Sequence, residues 1–89
     1  MPQAKPWISI VIPSYNHAAG LERALASIAE QGDAEAEVVV VDDGSTDDTA
    51  LRLARLRPEF GSPLVVLHQP NRGPSAARNA GIRVATGNY

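Results

Sequence analysis

Three short segments of this 89-residue chain concentrate the side chains able to do directional chemistry: Pro13-Ser14-Tyr15-Asn16-His17, Asp42-Asp43-Gly44-Ser45, and Gln69-Pro70-Asn71-Arg72-Gly73 leading on to Arg78. The paired carboxylates come first. Asp, Gly and Ser favour turns and helix caps, so Asp42-Asp43 can be a turn that caps the next helix. Yet adjacent carboxylates repel, and Ser45 with Asp48 already offers a cap. The other reading is a ligand contact, because an acidic residue after the second strand of a βαβ unit often meets a nucleotide. A carboxylate accepts and cannot donate, so it suits the N3–H of uracil and disfavours cytosine, which presents an acceptor there.

Tyr15 can stack its ring on a base or pack over the sheet end with its hydroxyl wet. Asn16 reads as the cap of the first helix. Arg78, in the first turns of a helix, sits where the dipole disfavours a cation. It can answer a bound anion, pair with Asp42 or Asp43, or be solvated. Asn71 and Gly73 have the types of turn and cap residues. His17 and His68 lack a third metal-type partner at recognisable spacing and read as structural, and Trp7 and Tyr89 as packing residues.

The elements that place these segments are legible as three βα units. Ile8–Ile12, Glu37–Val41 and Leu64–His68 are runs of Val, Ile and Leu, stopped by Pro13, Asp42-Asp43-Gly44 and Pro70. None alternates apolar with polar, the mark of parallel strands covered on both faces. Between them the period becomes helical. Leu21, Leu25 and Ile28 define one face as far as about Gln31, before Gly32. Ser45–Asp48 forms a cap with an acidic first turn, followed by Leu51, Ala54 and Leu56 up to Pro58. Gly73-Pro74 opens a third helix whose buried face is small: Ala76, Ala77, Ala80, Gly81 and Val84. Strand starts about 26–30 residues apart leave room for right-handed crossovers. The expected fold is therefore α/β and Rossmann-like, with three layers α/β/α and a mostly parallel sheet. Its ligand would lie beyond the carboxyl ends of the strands, where all three segments fall.

Bulk composition narrows the functions. The net charge of −2, with lysine only at Lys5 and the arginines scattered, argues against nucleic acid as a partner. No cysteine is present, so disulfides, thiolate metal sites and cysteine nucleophiles are excluded, in keeping with a reducing compartment. No apolar run approaches the roughly 20 residues of a membrane helix, and the N-terminus is unlike a signal peptide. The expected address is the cytoplasm, with a membrane-associated whole protein left open. A Rossmann dehydrogenase would need G-x-G-x-x-G in the first turn, which here reads Pro-Ser-Tyr-Asn-His-Ala-Ala-Gly. A P-loop enzyme fails for want of Gly-Lys-Ser/Thr. A non-catalytic α/β module binding a nucleotide or a partner remains an alternative.

Assembled in order, the segments Ile10–Asn16, Val39–Asp47 and Asn71–Gly81, trailing into Ala85–Tyr89, resemble the family-2 inverting glycosyltransferases of the GT-A fold. The resemblance runs from about Trp7 to Tyr89. It implies that the chain is the N-terminal nucleotide-binding part of a GT-A domain, covering residues 1–89. It also implies that the whole protein transfers a sugar from a nucleotide-sugar donor, a UDP-sugar, to an acceptor hydroxyl with inversion. Pro13 and Tyr15 would line the nucleotide pocket, Asp43 would accept from the base, and Asn71 and Arg78 would reach the base or phosphates. Asn16 and Asp42 would stand behind these contacts. The family's metal-binding D-x-D and its catalytic base are expected beyond Tyr89, so no catalytic or metal-binding residue is expected among these 89, and Mg²⁺ or Mn²⁺ would be held by the rest of the protein. In the family's strand order the first strand lies beside a fourth, which would begin near Gly87. Without it Ile8–Ile12 is an open edge, and the chain alone is expected to self-associate.

Overall fold

Val38, Val39, Val40 and Val41 are four valines in succession, all fully buried. A β-branched run with no polar face must be covered on both sides, which makes it the centre of a sheet. The computed structural model of the chain describes residues 8–31, 36–61 and 63–85 and shows that arrangement. Its elements are β1 (Ile8–Ser14), α1 (Ala18–Gln31), β2 (Ala36–Asp43), α2 (Thr49–Leu56), a 3₁₀ turn (Arg57–Glu59), β3 (Leu64–Gln69) and α3 (Pro74–Val84). The three strands are parallel in the order β1-β2-β3, with Ile8 opposite Ala36 and Val38 opposite Leu64.

The two-residue period of β2 sorts the core into two layers. Val38 and Val40 face Leu21, Leu25 and Ile28 of α1 and Leu53 and Leu56 of α2, joined by Ile10, Ile12 and Val66. Val39 and Val41 face Ala77 and Ala80 of α3, joined by Val11, Val65 and Leu67. Helices therefore cover both faces, the expected three-layer α/β/α architecture. The small residues of α3 let it lie close: a Cβ on Gly81 would come within 2.4 Å of Val11 Cγ1 and 3.2 Å of Val41 Cγ2.

Several boundaries differ from the sequence reading, each for a physical reason. β1 runs through Pro13 to Ser14. Among the described residues β1 pairs on one side only, with β2, and an edge strand tolerates a residue without an N–H. β2 extends through both aspartates. α2 starts at Thr49, so Ser45–Asp48 precede the helix rather than form its first turn. Its buried face is Thr49 and Leu53 rather than Leu51 and Ala54, with Leu51 54% exposed. Residues 49, 53 and 56 follow the helical period toward the sheet, while 51 lies about 160° from 49 around the axis. In α3, Val84 is exposed and Ala77 and Gly81 carry the contact. Trp7, Gly32, Gly87 and Tyr89 lie outside the described residues.

Candidate functional site

At the carboxyl ends of the strands the same two-residue period separates the paired carboxylates. The register sets Asp42 beside His68 and Asp43 beside Gln69. Asp42, 5% exposed, follows Val38 and Val40 to the face of α1 and α2. Its Oδ1 accepts from the Ser45 N–H at 3.1 Å and its Oδ2 lies 3.2 Å from His68 Nδ1. An ionised carboxylate only accepts, so His68 Nδ1 is the donor in that contact. Asp43, 3% exposed, goes to the face of α3.

Four donors converge on the Asp43 carboxylate. Oδ1 accepts from Gln69 Nε2 at 2.7 Å and from the Arg72 N–H at 2.8 Å. Oδ2 accepts from the Gly73 N–H at 2.9 Å and, at 3.4 Å, from Asn71 Nδ2. Asn71 Nδ2 also donates to the Asp43 main-chain carbonyl at 3.0 Å. A carboxylate has about four lone-pair positions, so these contacts nearly fill it. The Gln69 bond, followed by the Arg72 N–H, holds the Asp43 pKa below its ordinary value against the opposing effect of burial. Asp43 is thus an anion that fastens the loop between β3 and α3.

Two glycines let that loop close. Gly44 has φ +74°, and a Cβ there would stand 2.6 Å from the Asn71 main-chain nitrogen. Only a residue without a side chain fits both demands. Gly73, at φ +97°, turns the chain into α3, where Pro74 occupies the first turn.

Between these parts lies a concavity of about 360 Å³, lined by Pro13, Ser14, Tyr15, Asp43, Asn71, Gly73 and Pro74. It sits where open α/β sheets bind ligands. Pro13, Tyr15, Asp43 and Asn71, all proposed from the sequence, come together here. Tyr15 is 51% exposed, leaving the ring free to take a flat partner. Ser14 Oγ, also at this wall, is buried without a hydrogen-bond partner among the described residues.

Arg78 does not join them. It lines a separate hollow of about 250 Å³ with Ser9, Val11 and Ile82, along the open side of β1. Asp42 and Asp43 take their partners elsewhere, so the possible pairing with Arg78 is not formed. Asn16 does not cap α1. That helix begins at Ala18, and Leu21 N–H bonds the carbonyl of His17. Asn16 instead adopts φ +49° and turns its amide oxygen to the Thr46 and Asp47 N–H groups, at 2.7 and 3.2 Å. The capping is done by Asp47, which accepts from Ala18 N–H at 3.3 Å and from Thr49 N–H at 3.0 Å. Asp47 also accepts from the Thr49 hydroxyl, and these bonds hold its pKa below the ordinary value, that hydroxyl bond foremost. Asp48 pairs with Arg52 rather than capping.

Sequence reasoning missed Gln69, the Arg72 and Gly73 N–H groups, and Asp47. For Gln69 the sequence signal was off by one: aligning the apolar runs Glu37–Val41 and Leu64–His68 puts Gln69 level with Asp42, whereas the register pairs it with Asp43. The residues present do not fit a metal site. Among the described residues no three His, Cys, Asp or Glu side chains come together, and the carboxylate of Asp43 is taken up by protein donors.

Comparison with known proteins agrees with the fold. The family model described as glycosyl transferase family 2 matches residues 9–89. An uncharacterized glycosyltransferase of Nostoc sp. is 39% identical over 80 residues, covering 90% of this chain and 25% of the relative. A PGL/p-HBAD biosynthesis glycosyltransferase of Mycobacterium bovis is 41% identical over 87 residues, covering 97% of this chain and 34% of the relative. Among solved structures, the mannosyltransferase PcManGT from Pyrobaculum calidifontis, in complex with GDP-Man and Mn²⁺, aligns with a TM-score of 0.78 at 34% identity. That alignment covers 93% of this chain and 25% of PcManGT. The chain thus spans about a quarter to a third of the length of these relatives.

Proposed function

The chain belongs to glycosyl transferase family 2, and from that premise we propose that residues 1–89 are the nucleotide-binding part of an enzyme that transfers a sugar from a UDP-sugar to an acceptor hydroxyl with inversion. One observation carries this reading: a half-exposed aromatic ring, Tyr15, a buried carboxylate, Asp43, and an amide, Asn71, share one concavity at the carboxyl ends of parallel strands. The ring offers a flat face for a base, and stacking of that kind is worth about 1–3 kcal/mol. Asp43 offers acceptors to an N–H on the base edge. The incoming N–H would take the place of Asn71 Nδ2 on Oδ2, the longest contact of that carboxylate at 3.4 Å. Asn71 would keep its bond to the Asp43 carbonyl.

The solved relative with GDP-Man supports the ligand class of nucleoside diphosphate sugar. The preference for uracil rests on the acceptor character of Asp43. Guanine also presents an N–H beside a carbonyl, which makes the comparison of UDP with GDP the decisive one. The base-proximal residues and Arg78 lie in separate hollows, so the phosphate role of Arg78 requires the nucleotide to extend past α3. The divalent cation, Mg²⁺ or Mn²⁺, belongs to a part of the whole protein outside these residues. No helix among the described residues is long and apolar enough to cross a membrane, and the cysteine-free composition supports a cytoplasmic address. β1, paired on one side only among the described residues, supports self-association of the chain when it stands alone.

Titration calorimetry of the chain with UDP, GDP, CDP and NAD tests the reading. UDP should bind best, at high-micromolar to millimolar Kd, about −4 to −5 kcal/mol. Tighter binding of GDP would overturn the uracil preference while leaving a nucleotide site. Tight binding of NAD, or no nucleotide binding at all, would overturn the site itself and favour the module that binds a protein partner.

A further inference from the structure

Tyr15 has neither helix nor strand around it, lying between the last residue of β1 and the first turn of α1. Fixing a free loop residue costs about 1–2 kcal/mol of backbone entropy, enough to cancel much of a stacking contact. A ring that is to stack needs its loop fixed beforehand. The tie is at the next residue. Asn16 holds φ +49°, a left-handed conformation that Asn adopts more readily than other non-glycine residues.

From that conformation Asn16 reaches the loop after β2 in both directions. Its N–H donates to Ser45 Oγ at 2.9 Å, and its Oδ1 accepts from Thr46 N–H at 2.7 Å and Asp47 N–H at 3.2 Å. The Thr46 hydroxyl approaches the same oxygen at 3.4 Å. Ser45 is held in turn by buried Asp42, through its N–H at 3.1 Å. Beyond Asn16, the Ala18 N–H bonds Asp47 at 3.3 Å. The chain is fastened to β2's loop immediately after Tyr15, and the fastening ends on a carboxylate in the sheet.

We propose that Asn16 is a positioning residue for the nucleobase contact, setting the Tyr15 ring through the bonds its side-chain amide oxygen accepts from the Thr46 and Asp47 N–H groups, on a loop that Asp42 holds through Ser45. This rests on the reading of the concavity as a nucleotide site. It gives Asp42 a task distinct from that of Asp43: each carboxylate organises one wall of the same concavity, Asp42 the Tyr15 wall and Asp43 the Asn71 wall.

The test is an NMR titration of the chain with UDP across Asn16→Ala, Asn16→Gly, Asn16→Asp, Tyr15→Ala and the double variant Tyr15→Ala/Asn16→Ala. Asn16→Gly keeps the left-handed turn and removes the amide, so it separates loss of the tie from loss of the fold. Asn16→Asp keeps an acceptor for Thr46 and Asp47. Asn16→Ala and Asn16→Gly should weaken UDP severalfold and broaden the Tyr15 ring signals, while Asn16→Asp stays within about twofold of the wild type. In the Tyr15→Ala background, Asn16→Ala should add nothing, because the ring it positions is gone. Additive losses in the double variant would overturn the proposal while leaving the nucleotide site standing. Unchanged UDP binding by Tyr15→Ala would overturn the nucleotide reading of this wall and the proposal with it. Unchanged binding by Asn16→Gly would overturn the proposal alone.

Discussion

Asp42 and Asp43 are neighbours in the chain whose carboxylates share no partner: one bonds Ser45 and His68 on the α1/α2 face, the other Gln69, Arg72 and Gly73 on the α3 face. The repulsion expected of adjacent carboxylates is relieved by the pleat, which turns them apart. Their removal should therefore have unequal effects. Asp43→Ala leaves the Arg72 and Gly73 N–H groups without acceptors and should weaken UDP by roughly tenfold or more. Asp42→Ala, acting one loop further away, should cost severalfold less. Asp43→Asn should resemble Asp43→Ala, because each carboxylate oxygen already takes two donors and an amide turns one oxygen into a donor. Calorimetric Kd values for the three variants check this, and equal losses for Asp42→Ala and Asp43→Ala would contradict it.

The depressed pKa of Asp43 gives a pH dependence whose sign is fixed. Gln69 and then the Arg72 N–H favour the charged form in the folded chain. The stabilisation is therefore fully present above the unfolded value of about 3.9, and is lost as pH falls through the lower folded value. Protection of the Arg72 and Gly73 amides, taken relative to their intrinsic exchange rates, should hold down to about pH 4 and fall only below it. Loss of that protection between pH 7 and 5 would mean that Asp43 does not hold the loop.

Gly44→Ala tests the closure of the same loop from the other side. At φ +74°, with the Asn71 nitrogen 2.6 Å from the new Cβ, the substitution meets both backbone strain and a clash. It should destabilise the chain by roughly 1–3 kcal/mol and displace Asn71. Thermal unfolding and a UDP titration should both respond. Gly61→Ala, where nothing lies within 4 Å of the added atom, should leave both unchanged.

In α2, Leu53→Ala should cost about 2–5 kcal/mol, since Leu53 is 3% exposed in the core layer of α1. Leu51→Ala should change stability by no more than about 0.5 kcal/mol. Urea unfolding of the two variants decides between them, and a larger loss at Leu51 would reverse the orientation of the helix.

The open side of β1 predicts the state of the chain in solution. Ile8 is 48% exposed, and the strand has no second partner among the described residues. Sedimentation velocity should show association that rises with concentration. A monomer at every concentration, with cooperative unfolding, would mean that this edge is covered.

How far the sequence carried varies with the range of the interactions. The strands were legible because Val38–Val41 can only be interior, and α1 because Leu21, Leu25 and Ile28 leave a single stripe. In α2 two stripes compete within eight residues, and the choice of Leu53 over Leu51 is made by the sheet beneath it. Tyr15 and the pair Asp42-Asp43 stood out by type and place at the strand ends, while the choice of Asp43 and the inclusion of Pro13 and Asn71 came with the family resemblance. Asn16 was misassigned because local chemistry favours a cap, whereas the bonds it makes reach across to Thr46 and Asp47. Arg78 was grouped with the pocket because position along a helix does not tell which side of that helix faces which strand.

The parallel register has a kinetic consequence. The bonds that Gln69, Arg72 and Gly73 give to Asp43, and those that Thr46 and Asp47 give to Asn16, join residues 26 to 31 positions apart. Each closes a long loop before it returns any energy, and chains built on such contacts fold slowly. No single βα unit holds even one wall of the concavity: the Tyr15 wall needs the loops after β1 and β2 together, and the Asn71 wall joins β2 to the loop after β3, so the whole pocket waits on the last strand. It appears when β2 has found both neighbours, and a nucleotide arriving earlier meets only an unpaired run of valines.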